Sequence, residues 1–529
     1  MGGKRALWRL LVGALAVLIA ACGSSSSEAN ETQDTSLVGA KEDVDNALAS
    51  STTADPGSAT ATPTSIDEWE ALWTEERAAV VDKIETNGWG WDQTANVVTG
   101  PGDMSVDLSA CLAAGWDPYG GLSNGVINIG QTIAQSGTLA DYGNIGIGER
   151  VLYDSVNASG GITDSTGKTY MIETELKDDS YDPAKTVPLV DELLDSSGSF
   201  LIQTLGSSNT LKVYDKLNQR CVPNPYVMTG HPAWGDPVNH PWTWGHPLPY
   251  NIEALLWGGM LEKKFADSDG ITVAALIIQN DFGKAYELGF SQFLATTKLK
   301  VDFVYERLDP TAPTVTNQMT TLAARNPDVF IAMTAGTSCT QTAIEAAGNG
   351  LKSSGAMLIT GQGCKGLNFV GKDKVGGDGS APDGWWIVGA GAKDFNDATL
   401  ADDVYVQWAR DQLAAAGYPS EGSSQLGNGF YYGWPVLQTL KIAADLPGGL
   451  SRPNFLLAAR TMDMTHPTLF EGIRYNMSGN DDAYPLEGSE ISTFSAADQS
   501  WIIQPEFGVI DLSGKSSPCA WDQATSVCK

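Results

Sequence analysis

Four consecutive small polar residues, Ser207-Ser208-Asn209-Thr210, follow Gly206 at the start of a predicted helix. Their side-chain oxygens and amides, with the free N–H groups and positive end of the helix, would hold a carboxylate or amide oxygen without any charged side chain. The same residues also serve as ordinary helix caps, so capping stands as the alternative. Ser136 and Gly137 follow the first predicted strand, and Thr229, Gly230 and His231 follow the fourth. All three segments would converge on one edge of a cleft. Tyr142 and Phe282 would supply apolar walls from opposite sides, or else sit in the core, since pockets and cores share residue types. Asp281, beside Phe282, is a candidate acid for the same set.

Other patterns carry less. All four histidines (His231, His240, His246 and His466) precede proline, which biases them to extended backbone, and none has the spacing of a zinc or metalloprotease site. Asp267-Ser268-Asp269-Gly270 lacks the twelve-residue calcium loop, and no Gly-x-Ser-x-Gly elbow offers a nucleophile. Gly361-Gln362-Gly363-Cys364-Lys365-Gly366 fits a dinucleotide fingerprint, but no convincing helix follows to receive a pyrophosphate; a turn at a cleft edge explains it better. No catalytic residue, metal or cofactor is therefore expected, and the chain reads as a binder rather than an enzyme.

The elements that must position these residues alternate. Strands are predicted at 126–133, 170–176, 200–204 and 226–229, with helices at 145–159, 183–195 and 210–217 between them. The order repeats with strands at 272–279, 300–305, 329–333, 356–359 and 386–388 and helices at 283–297, 315–324 and 340–349. Such βαβα alternation gives an α/β fold of parallel sheets flanked by helices, with ligands beyond the carboxyl ends of the strands. The break near His246-Pro247 divides the run into two similar lobes. A helix-rich stretch at 402–462 and a strand pair at 491–511 close the chain. Ahead of the alternation, Ser65-Ile66-Asp67-Glu68 is a capping box, and Ile66, Trp69, Leu72, Trp73, Val80 and Ile84 place an amphipathic helix over 66–86. Residues 87–122 read as irregular, anchored by Trp89, Trp91 and Trp116.

The chain has 529 residues, 42% of them hydrophobic, and a net charge of −31. That charge excludes the basic footprint a nucleic-acid binder needs. Lys4, Arg5 and Arg9 precede an uncharged run, 10–21, too short to span a bilayer; this is a secretory signal. Its end, Ile19-Ala20-Ala21-Cys22-Gly23, resembles the bacterial lipobox, which implies cleavage after residue 21 and a lipid on Cys22, with an ordinary cleaved signal as the alternative. Residues 22–64 are rich in Ser, Thr, Ala and acids and read as a disordered tether, about 40 residues with a reach of roughly 35 Å. Six cysteines remain for an oxidising compartment, so three disulfides are expected. Cys519 with Cys528 would close a C-terminal loop (513–529), and Cys339 with Cys364 would join the ends of neighbouring strands. Cys111 is left with Cys221. Free thiols remain the alternative.

Several ordered segments now point to a family. Ile129-Gly130-Gln131-Thr132, Ser136-Gly137, Tyr142-Gly143 and Asn157-Ala158-Ser159-Gly160-Gly161-Ile162 resemble the start of the type I periplasmic binding proteins of the leucine/isoleucine/valine (branched-chain amino acid) group. Asp178-Asp179-Ser180-Tyr181-Asp182-Pro183 is similar to that family's second-strand loop, Gly206 to Thr210 to its ligand-carboxylate loop, and Asn280-Asp281-Phe282-Gly283 to the aromatic offered by its second lobe. The resemblance covers roughly 124–512. It implies two α/β lobes joined by a three-strand hinge, with 124–246 and 392–465 in one and 247–391 and 466–512 in the other, and an N-terminal extension over 65–123. It also implies a monomer tethered outside the cell membrane that closes on an amino acid, amide or related carboxylate and delivers it to an ABC permease and ATPase complex. A sensory module of the same fold is the alternative, and an exported enzyme a weaker one. Two features depart from the family. Ala312 occupies the place of the acid that holds a ligand's ammonium, leaving Asp309 and Asp281 as the nearest substitutes. The leucine-type disulfide positions are Tyr181 and about Gly206.

Overall fold

The strand Ile271–Ile278 is almost wholly buried, as a continuous apolar run should be when helices cover both faces of a parallel sheet. It pairs in parallel with Val301–Leu308 on one side and Val329–Met333 on the other. Met357–Thr360 and Trp386–Val388 extend the sheet in parallel. Ser489–Ser495 then adds an antiparallel edge carrying Ser500–Ile503 and Val509–Ile510. A second sheet is built around Val126–Thr132, parallel to both Thr169–Lys177 and Leu201–Thr204. The bridge Leu205–Met228 leads on to Asn224–Val227, and Thr243–Gly245 lies parallel beside that strand. The computed structural model describes residues 40–50 and 62–529, so the leader and Cys22 lie outside the described residues.

Each sheet has its own core, and both belong to one compact unit. The chain passes between them three times: from Trp244 to Leu248, from Val388 to Phe395 and from Leu486 to Ile491. The last passage falls later than the expected boundary at 466. Leu469, Tyr475, Met477 and Leu486 pack into the first core, where Ala392 bridges Leu469 and Asp463 bridges Asn476. The first lobe depends on a close crossing of the helices Asn144–Ala158 and Ser424–Asp445. A Cβ at Gly429 would sit 2.4 Å from the Cα of Gly148, so neither glycine tolerates a side chain.

The helix Ile66–Thr86 forms at its expected bounds, capped by Ser65 and burying Trp69, Trp73, Val80 and Ile84. Four other expectations change. Residues 87–122 are not irregular throughout: Gly90–Asp92, Val97–Gly100 and Met104–Asp107 make a small antiparallel sheet. The helix expected at 210–217 is two short ones, Ser207–Leu211 and Tyr214–Gln219. Tyr250–Lys264, not anticipated, is a helix buried on every face, so it has no polar stripe to reveal it. The tether contains a helix, Ala40–Ser50, that docks on the second lobe through Ala40, Val44 and Leu48. Leu48 occupies the space above Gly259, where a Cβ would meet it at 2.3 Å. Lys41 bonds Asp45 at 2.7 Å and Glu262 at 2.8 Å. One apolar residue per turn makes too narrow a stripe to stand out in an acidic segment.

The six described cysteines pair as Cys111–Cys221, Cys339–Cys364 and Cys519–Cys528. Among the described residues no helix is long and apolar enough to cross a membrane.

Candidate functional site

Between the lobes, at the carboxyl ends of both sheets, lies a cavity of about 110 Å³. Apolar cavities of about 150 Å³ accept a benzene ring, so this one has the scale of a small cyclic molecule. The first lobe contributes Tyr142, Tyr181, Thr229, Tyr431 and Tyr432, and the second Tyr250 and Phe282. Lys365, Lys393, Asp394, Gln425 and Asn428 add polar groups.

The lobes are closed on one another. The Tyr142 hydroxyl donates to the Gly363 carbonyl at 2.8 Å and accepts from the Gly336 N–H at 3.3 Å. Asn368 bonds the Asp141 carboxylate across the cleft, and the Asp281 N–H reaches the Ser208 hydroxyl at 3.3 Å. The Gly361–Gly366 turn is a cleft edge, as expected. It contributes Gln362, Gly363, Lys365 and Gly366 to the cavity, and only the four-residue helix Leu367–Val370 follows it.

Of the anticipated site residues, Tyr142, Phe282 and Thr229 line this cavity together. The others lie beside it. Ser207 bonds Thr229 at 2.8 Å, Thr210 bonds Thr204 at 2.7 Å, and the Asn209 amide donates to Asp179 at 2.9 Å. Those bonds hold the loop in place, although the Asn209 Oδ1 is buried without a partner. Ser136 is exposed and bonds Ser180 at 2.7 Å, and Gly137 takes a positive φ beside it. Gly230 is buried, its carbonyl accepting from the Tyr250 N–H at 2.7 Å. His231 is buried against Trp521 of the C-terminal loop, its Nδ1 accepting from the Ala233 N–H, and burial lowers its pKa to about 3. Asp281 pairs with Lys284 at 3.2 Å, outside the cavity. Asp309 accepts from Thr311 and, with Ala312, borders a separate small pocket.

Sequence reasoning missed the hinge end of the cavity. There Lys365 bonds the buried Glu490 carboxylate and the carbonyls of Gly389 and Ala392. Glu490 also accepts from the Gly391 N–H at 2.8 Å. One ion pair thus grips two of the three passages between lobes. Lys393 is held by Asp403 at 2.8 Å, and Asp394 accepts from the Leu367 N–H, the Asn396 N–H and the Ser424 hydroxyl. Behind the Gly361 turn, Glu253 accepts from Tyr286 at 2.7 Å and from the Gln362 N–H at 2.8 Å. Burial pushes its carboxyl up to about 8. Among the described residues no group of three metal-ligating side chains occurs.

Residues 126–466 match the family model described as periplasmic binding protein. Among solved structures, the chain resembles a fatty acid ABC transporter substrate-binding protein from Thermomonospora curvata, at 18% identity and a TM-score of 0.59 over 73% of this chain and 93% of that one. It also resembles a branched chain amino acid ABC transporter protein from Thermus thermophilus with bound valine, at 13% identity and a TM-score of 0.60 over 72% and 96%. A solute binding protein from Rhodopseudomonas palustris BisB5 in complex with 3,4-dihydroxy benzoic acid gives 16% identity and a TM-score of 0.58 over 74% and 98%. A search of curated proteins returns no match. At these identities the structures establish the shared two-lobed fold, and the family model establishes membership: the chain belongs to the periplasmic binding protein family.

Proposed function

We propose that the protein is an exported, lipid-anchored solute receptor that closes on a small ligand and delivers it to an ABC permease and ATPase complex. The observation that carries this reading is the interlobe cavity, whose walls come from both lobes and whose rim is fastened by hydrogen bonds across the cleft. A ligand seated there touches both lobes, so it favours the closed state by its differential contacts. Candidate ligands are amino acids, amides and related small carboxylates. Among the described residues, the one acid in the lining, Asp394, already accepts from three neutral donors, and Asp281 and Asp309 lie outside the lining.

The protein works as a monomer held to the outer face of the cell membrane through the lipid on Cys22. Thermal-shift screening against a fractionated metabolite extract tests the binding reading: at least one fraction raises Tm. Metabolic labelling with a fatty-acid analogue tests the anchor, marking wild type and missing Cys22→Ser; equal labelling of both contradicts it.

A further inference from the structure

Tyr431 lines the interlobe cavity, is 5% exposed, and its hydroxyl has no hydrogen-bond partner. A buried hydroxyl left unpaired is costly, and Tyr hydroxyls in protein interiors nearly always find a partner. The ring is fixed: His246 abuts it at 4.0 Å between centroids and Tyr432 at 4.9 Å. It cannot turn away to satisfy itself elsewhere.

The charges around it are all spoken for. Lys365 is neutralised by Glu490 and capped by two carbonyls. Lys393 is paired with Asp403 and the Pro467 carbonyl, and Asp394 carries three donors. What remains open toward the ligand is aromatic faces, phenols and the side-chain amides of Gln425 and Asn428. Tyr142, Tyr181, Tyr431 and Tyr432 all lie within electrostatic range of the Tyr250 phenol, and burial raises the pKa of each of the five, so all stay protonated at neutral pH. An anion entering this cavity loses its hydration and meets no unpaired cation, and a cation finds only the buried Asp394 carboxyl, which already holds three neutral donors, so either suffers a net loss. A neutral ring loses little and gains stacking on Tyr250, Phe282 and Tyr432.

We infer that the cavity selects an uncharged cyclic ligand, and that the Tyr431 hydroxyl is the specificity determinant that bonds an oxygen or amide on it. This rests on the solute-receptor reading and narrows it, setting aside free amino acids and simple carboxylates as preferred ligands.

Isothermal calorimetry at pH 7 with four probes tests it: benzamide (neutral), benzoate (anion) and benzylammonium (cation), which share one ring and are of near-equal shape, and the acyclic zwitterion leucine. Benzamide is expected to bind at least about tenfold tighter than the other three. Tyr431→Phe keeps the ring and its packing, and is expected to weaken benzamide about five- to tenfold while the Tm of the free protein stays the same or rises, since an unpaired buried hydroxyl is removed. Tyr432→Phe, at the adjacent ring whose hydroxyl is not the one assigned to the ligand, serves as the matched control and is expected to shift affinity less.

Tighter binding of benzoate, benzylammonium or leucine than of benzamide overturns the inference and leaves the receptor reading standing. So does an unchanged benzamide affinity in Tyr431→Phe. Silence from all four probes also overturns it. The receptor reading fails separately, when no fraction of a metabolite extract stabilises the wild-type protein.

Discussion

The Gly206–Thr210 loop and the hinge end of the cavity border the same cleft but treat their polar groups in opposite ways. In the loop, Ser207, Asn209 and Thr210 are bonded to Thr229, Asp179 and Thr204, and each bond stays within the first lobe. At the hinge, Lys365 and Glu490 tie together chain segments more than a hundred residues apart, while the neighbouring Tyr431 hydroxyl has no partner at all. A loop braced by these bonds, with only the Asn209 Oδ1 left unpaired, gives a rigid edge against which a ligand can be placed. The hinge end couples an open hydrogen-bonding position to the strands that must bend on closure. Rigidity and receptivity are thus separated within one site.

The largest effect is expected where that coupling is broken from one side. Glu490→Ala leaves Lys365 buried without its countercharge, which should destabilise the protein by about 3–5 kcal/mol. Replacing both members, Lys365→Met with Glu490→Leu, should recover most of that loss, since the uncompensated charge is gone. Urea unfolding of the three proteins measures this. A single variant no less stable than wild type would mean the pair does not hold the hinge.

A smaller effect for any single group follows from the carboxyls beneath the two sheets. Burial raises both Glu253 in the second lobe and Glu149 in the first to about 8. Their unfolded values are near 4.3, so between those limits the folded state holds more protons than the unfolded one. Stability is fully present below about pH 4 and is lost as pH rises through about 8, at roughly 1.4 kcal/mol per pH unit for each group. Tm should therefore fall between pH 6 and 8, and Glu253→Gln should flatten part of that slope. A Tm that rises over this range contradicts the assignment.

The smallest effect is expected in the rigid loop. Ser207→Ala removes one neutral hydrogen bond, worth about 0.5–1.5 kcal/mol, and should leave affinity for the cognate ligand nearly unchanged. A loss of affinity greater than that caused by Tyr431→Phe would reverse the roles of the two regions.

Much of this architecture is legible in the sequence because burial leaves a pattern. Ile271–Ile278 shows as an unbroken apolar run, and Ile66–Thr86 shows a capping box followed by helical spacing. Helices buried on all faces leave none, and Tyr250–Lys264 escapes sequence reasoning for that reason. The same rule governs the site. Tyr142, Thr229 and Phe282 follow strand ends, where a parallel sheet places ligands, and they do line the cavity. Tyr431 and Tyr432 lie inside the long buried helix Ser424–Asp445, with no periodicity to single them out. Lys365 sits in a turn legible as a cleft edge, but its partner is 125 residues further along, a separation no local pattern can span. The polar run at Ser207–Thr210 is ambiguous for the opposite reason, since residues that could receive a ligand also serve to cap and brace a loop.

The proposed capture of a solute rests on closure of the two lobes over a ligand held between them. Small-angle scattering reads it without a label, during titration with the metabolite that gives the largest thermal shift. The radius of gyration is expected to fall, and to saturate together with the binding heat. Saturable binding with an unchanged radius of gyration would contradict closure.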